Sequence, residues 1–158
     1  MKQILSFTLN GTPVDLLAKP TETLLDVLRE GLHFTGVKRG CEEGDCGTCT
    51  VLIDGEPARS CLTLALTVAG KEVTTIEGLS QGGQLHPIQK AFMEKGAPQC
   101  GFCTPAMVLV ARWLLDKNPH PTRNEIVYYM SGNLCRCGSY EEVVEAILAV
   151  ADGDAKEV

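Results

Sequence analysis

Along the first half of the chain, apolar and polar positions alternate with a period of two. Leu5, Phe7 and Leu9 fall on one side of a strand, Asn10-Gly11 supplies a hairpin turn, and Val14 and Leu16 resume the alternation. Thr23-Leu24-Leu25-Asp26 has the form of a capping box opening a short helix that Gly31 can close. Thr50-Val51-Leu52-Ile53 followed by Asp54-Gly55 predicts a strand and a turn. Lys71 to Ile76, rich in β-branched residues, predicts a last strand.

After a polar stretch, Gly78 to Gln84, the apolar period lengthens to that of a helix. His86-Pro87 starts one helix, with proline at its first position, and Gly96 ends it. Pro105 opens an apolar run through Leu115 that Asn118-Pro119 stops. Thr122-Arg123-Asn124-Glu125 is a capping box for a helix reaching about Ser131. Ser139-Tyr140-Glu141-Glu142 is another, for a helix burying Val143, Val144, Ile147 and Leu148. The pattern predicts an α+β chain: a β-rich domain over 1–77, a linker over 78–85 and an all-helical domain over 86–158, its tail fraying after Ala151. Domains this small are marginal on an apolar core alone, and a metal site in each would add cross-links where the core is thin.

Charge and composition remove several classes of function. The net charge is −6, the lysines and arginines are scattered and aromatic residues make up only 5% of the chain, which argues against a nucleic-acid partner. No apolar run is long enough to cross a membrane. The first residues, Met1-Lys2-Gln3-Ile4-Leu5-Ser6-Phe7-Thr8, lack the apolar stretch of a secretory signal, so a cytoplasmic protein is expected. In that reducing compartment the chain's eight cysteines point to metal ligation before disulfides.

Cys41, Cys46 and Cys49 have the spacing C-x4-C-x2-C, and Cys61 follows after eleven intervening residues. This is the plant-type [2Fe–2S] spacing, whereas structural zinc sites usually begin with cysteine pairs separated by a longer loop. Glycines interleave the three ligands, as a chain must curl around a cluster so that N–H groups face sulfur. The other four, Cys100, Cys103, Cys135 and Cys137, form a C-x2-C pair entering the long helix and a C-x-C pair between the last two helices. Two such turns can close a four-thiolate site across a helical bundle, and spacing alone leaves iron–sulfur and zinc both open there. Neither set leaves a coordination position for a substrate, so metals held there would carry electrons.

These motifs resemble the small iron–sulfur subunit of the molybdenum hydroxylases, the xanthine oxidase and dehydrogenase family. The resemblance runs through Gly40–Cys49, Arg59-Ser60-Cys61-Leu62-Thr63-Leu64, Val73–Leu79, His86-Pro87-Ile88-Gln89, Gln99–Pro105 and Ser131–Cys137, nearly the whole chain. It implies a plant-ferredoxin-like β-grasp domain followed by a helical domain resembling a four-helix bundle, each with a [2Fe–2S] cluster. It implies partners: a large subunit holding molybdopterin, in bacterial relatives generally the cytosine dinucleotide form, and a medium subunit holding FAD. Gln99 and Cys137 match residues that lie against the pterin. Electrons would pass from molybdenum through the Cys100/Cys103/Cys135/Cys137 cluster, then the Cys41/Cys46/Cys49/Cys61 cluster, to FAD; some relatives, such as the hydroxybenzoyl-coenzyme A reductases, run in reverse. Two departures stand out. Ala106 replaces the glycine of Thr-Pro-Gly-Met, and Gly138-Ser139-Tyr140 replaces Thr-Gly-Tyr.

A freestanding two-cluster ferredoxin and a zinc-stabilised interaction module are the competing readings. His33, His86 and His120 are expected to be structural or solvated, Glu42, Glu43 and Asp45 to face solvent or a partner, and Trp113 to lie in the core. Arg136 either offsets thiolate charge or is merely exposed.

Overall fold

The computed structural model describes residues 1–153, so the expected fraying after Ala151 falls largely outside the described residues. Five strands, β1 (Gln3–Leu9), β2 (Thr12–Ala18), β3 (Thr50–Ile53), β4 (Glu56–Arg59) and β5 (Glu72–Thr74), form one sheet in the order β2-β1-β5-β3-β4. β1 runs parallel to β5 and the other neighbours are antiparallel. The Asn10-Gly11 turn has positive φ at both residues, as a tight two-residue hairpin requires. The chain is α+β, and its sheet buries Leu5, Phe7, Leu9, Val51 and Val73 against a short helix.

That helix, α1, begins at Leu24–Asp26 and continues as a wider π-type turn through Val27–Gly31. Its capping box forms as the sequence predicts: Asp26 N–H donates to Thr23 Oγ1 at 3.1 Å, and Thr23 N–H to Asp26 Oδ2 at 2.9 Å. The sequence pattern does not predict β4, because Glu56-Pro57-Ala58-Arg59 carries two charges and a proline. The sheet accepts it because β4 is an edge strand, where proline's missing N–H costs no ladder bond. β5 is also shorter than the β-branched run, since Thr75 turns away to bond Asn10.

Four helices share a second core: α2 (Pro87–Glu94), α3 (Thr104–Lys117), α4 (Arg123–Met130) and α5 (Tyr140–Ala151). Ile88, Phe92, Met107, Leu114, Ile126 and Ile147 fill it, and Leu79, from the polar stretch before α2, is buried with them. α3 is buried along most of its length because its other side lies against β3 and β4. Ala106 fits this wall with its methyl group fully enclosed. No helix among the described residues is long and apolar enough to cross a membrane.

The histidines take the structural or solvated places expected of them. His86 caps α2, its Nδ1 accepting from Ile88 N–H at 3.3 Å, and burial lowers its pKa; His33 and His120 are exposed. Trp113 departs from its expected core position. It packs half-buried at the margin of the helical core, and its Nε1–H donates to Glu56 Oε2 at 2.9 Å, tying α3 to the edge strand.

Candidate metal centres

The loop from α1 to β3 carries Cys41, Cys46 and Cys49, and the turn after β4 brings Cys61 beneath it. Backbone N–H groups of Glu43 and Cys46 both donate to Cys41 Sγ at 3.4 Å. The loop achieves this curl through positive φ at Glu42, Gly44 and Gly47. Those donors, Cys46 first, lower the Cys41 thiol to about 6. Cys61 behaves oppositely: burial, then its neighbour Cys49, pushes it up to about 11. No Cβ fits at Gly40, where it would lie 2.6 Å from Thr48 Oγ1 and 2.8 Å from Cys46 Sγ. Arg39 braces the loop from outside, pairing with Glu42 and, at 2.8 Å, with Asp26 on α1.

The second set gathers at one end of the helices. Cys100 and Cys103 occupy the turn into α3, and Cys135 and Cys137 the loop between α4 and α5. The Cys100 thiol pairs with Cys137 and the Cys103 thiol with Cys135. Burial, then Cys135, raises Cys103 to about 12. At Cys135 burial works upward, but the Ser139 hydroxyl and N–H outweigh it and bring the thiol down to about 7. All eight cysteines are free thiols.

Ser139 does not form the capping box that its sequence predicts. Its ψ of 35° is not that of a capping residue, and its Oγ lies 3.3 Å from Cys135 Sγ instead. Tyr140 supplies a further contact, its hydroxyl accepting from Cys135 N–H at 2.8 Å. Gln99, Cys100, Arg136 and Cys137 are exposed on the rim of this site.

The two sets are joined by contacts that spacing did not reveal. Leu134 N–H donates to Cys46 O at 2.9 Å, and the buried Asn133 Nδ2 to Gly47 O at 3.0 Å. Arg59 spans both loops, with Nε donating to Gly44 O at 2.5 Å and Nη2 to Gly132 O at 2.7 Å. A Cβ on Gly47 would sit 2.2 Å from Gly132 O, so the loops touch backbone to backbone. A cleft of about 470 Å³ opens beside this junction, lined by Cys46, Cys103, Phe102, Cys135 and Arg136 among others.

Two family models match consecutive parts of the chain. Residues 7–75 match the 2Fe-2S iron–sulfur cluster binding domain family, and residues 75–148 match the [2Fe-2S] binding domain family. Fold and sites together define an iron–sulfur protein with two cluster-binding domains. The nicotinate dehydrogenase small FeS subunit of Eubacterium barkeri is 45% identical over 146 residues, covering 92% of this chain and 93% of the relative. The nicotine 6-hydroxylase small subunit of Paenarthrobacter nicotinovorans is 48% identical over 139 residues, covering 88% and 84%. The crystal structure of quinoline 2-oxidoreductase from Pseudomonas putida 86 superposes with a TM-score of 0.93 at 49% identity, covering 96% of this chain and 95% of that one. The chain belongs to the family of small iron–sulfur subunits of the molybdenum hydroxylases, where its work is electron transfer and not substrate turnover.

Proposed function

We propose that Cys41, Cys46, Cys49 and Cys61 ligate one [2Fe–2S] cluster and Cys100, Cys103, Cys135 and Cys137 the other. The observation that carries this is that each set of four cysteines falls within one of the two matched 2Fe-2S domains, with hydrogen-bond donors turned toward sulfur in both: Glu43 and Cys46 N–H toward Cys41, and the Ser139 hydroxyl beside Cys135. A two-iron cluster asks each iron to take two thiolates, whereas zinc asks four to converge on one ion. Each cluster, when bound, takes up and returns one electron. The chain's own part is to hold the thiolates, offset their charge and exclude water. The N–H groups of Glu43 and Cys46 face Cys41 for this purpose. Cys103 stands at the N-cap of α3, where the helix dipole works against the upward push of burial on its thiol.

In this reading the chain divides into a unit over 1–77, a linker over 78–85 and a unit over 86–158 whose described helices resemble a four-helix bundle, supported by the strands lying in the first and the four helices of the second core in the last. The partners are a large molybdopterin-binding subunit, its pterin in the cytosine dinucleotide form, and a medium FAD-binding subunit. Gln99 and Cys137 face the pterin in this reading, supported by their exposure on one rim. Electrons enter at that rim and leave by the Cys41 side. A reducing cytoplasm suits eight free thiols.

Iron and sulfide analysis tests the assignment. The chain should carry about four irons and about four acid-labile sulfides, with two paramagnetic signals on reduction. Cys49→Ser should remove one signal and Cys103→Ser the other; zinc in place of iron, or loss of both signals from either change, overturns it. Gln99→Ala should keep both signals yet slow reduction of the helical-side cluster by substrate; unchanged rapid-mixing kinetics would remove Gln99 from the pterin contact.

A further inference from the structure

We propose that Ser139 is a positioning residue for electron transfer: its buried hydroxyl donates to Cys135 Sγ and raises the reduction potential of the cluster held by Cys100, Cys103, Cys135 and Cys137. The inference rests on the ligand assignment above. Ser139 is 2% exposed, and its Oγ has no hydrogen-bond partner other than that sulfur among the described residues. A buried hydroxyl left without a partner is costly, and the usual use of a serine before a helix, capping, is not made here. Between a hydroxyl and a thiol either atom can donate, but a thiolate bound to iron has no proton, so the hydroxyl is then the donor.

The effect on potential follows from charge. A cluster held by these four thiolates would carry more negative charge on its sulfurs after taking up one electron. No bond forms or breaks, and the serine keeps its proton. A hydrogen bond to the sulfur is stronger in the more negative state, so it favours the reduced form.

The test uses the subunit in its assembled complex, with both clusters followed in one redox titration by their separate paramagnetic signals. Ser139→Ala should shift the reduced-to-oxidised equilibrium of the Cys103-dependent signal about tenfold toward oxidised, a fall of about 59 mV for a one-electron couple. The Cys49-dependent signal should keep its midpoint, and Ser139→Thr, which restores a hydroxyl, should return the first toward wild type. Should Ser139→Ala lose its cluster, Ser139→Gly, which also lacks the hydroxyl, should give the same fall. An iron-replete variant with both midpoints unchanged, or with both shifted alike, overturns the role of the hydroxyl. Failure of the ligand assignment would show separately, as a signal that survives Cys103→Ser.

Discussion

Asn133 Nδ2 donates to the carbonyl oxygen of Gly47 at 3.0 Å, across 86 residues of sequence and between the two thiol-bearing loops. Asn133 is 3% exposed, and the adjacent Leu134 N–H bonds Cys46 O, so side chain and backbone act together. Asn133→Ala should lower stability by about 1–3 kcal/mol, the cost of opening a buried hydrogen bond. Urea unfolding measures this, and hydrogen exchange across 132–135 should quicken at the same time. A variant as stable and as slow to exchange as wild type would show that the backbone bond alone holds the loops.

Arg59 should control how the two clusters sense each other. Its guanidinium reaches Gly44 O and Gly132 O at once, a span that lysine's single ammonium cannot copy. Arg59→Met and Arg59→Lys should each retain iron but alter the magnetic splitting between the reduced clusters. Identical splitting in all three proteins would mean that the junction does not need the guanidinium.

Two glycines with similar backbones should respond differently to alanine. Gly47 and Gly55 have φ of +71° and +81°, so both substitutions carry the left-handed penalty of about 1–2 kcal/mol. A Cβ at Gly55 meets nothing within 4 Å, whereas at Gly47 it meets the Gly132 carbonyl. Gly55→Ala should therefore be mild, and Gly47→Ala should also pry the loops apart and lower iron content. Equal iron content and equal urea midpoints would refute the close approach.

The brace on the first loop should fail in acid. Burial by itself would raise the Asp26 carboxyl, but Arg39 and Thr23 outweigh it and hold the pKa below its ordinary value. A depressed carboxyl pKa stabilises the folded chain above the unfolded value of about 3.9, and that contribution is lost as pH falls through the folded value. Asp26→Asn should lose its visible colour faster than wild type at all pH above about 4, and the two should converge only as pH falls from there through the depressed folded value. A difference that persisted in strong acid would assign the effect to something other than the charge.

Much of the fold is legible in the sequence because its signals are local. The Thr23/Asp26 and Thr122/Glu125 capping boxes, the Asn10-Gly11 hairpin and the cysteine spacings each declare themselves within a few residues. What escapes depends on distant partners. Pro57 reads as a strand breaker until β4 is known to be an edge, and Trp113 reads as core until Glu56 is beside it. Arg59 sits inside a quoted motif, yet its partner Gly132 is 73 residues away. Ser139 has a local signal that misleads, since the capping pattern is present and a sulfur takes the hydroxyl instead.

The junction of the two loops also makes the two thiol sets one mechanical unit. Arg59 and Asn133 tie together the loops that carry them. A displacement of Gly132 pulls on Gly44 through a single guanidinium, so a push on either loop is felt at the other, and the spacing of the two sets is held as a strut holds two walls.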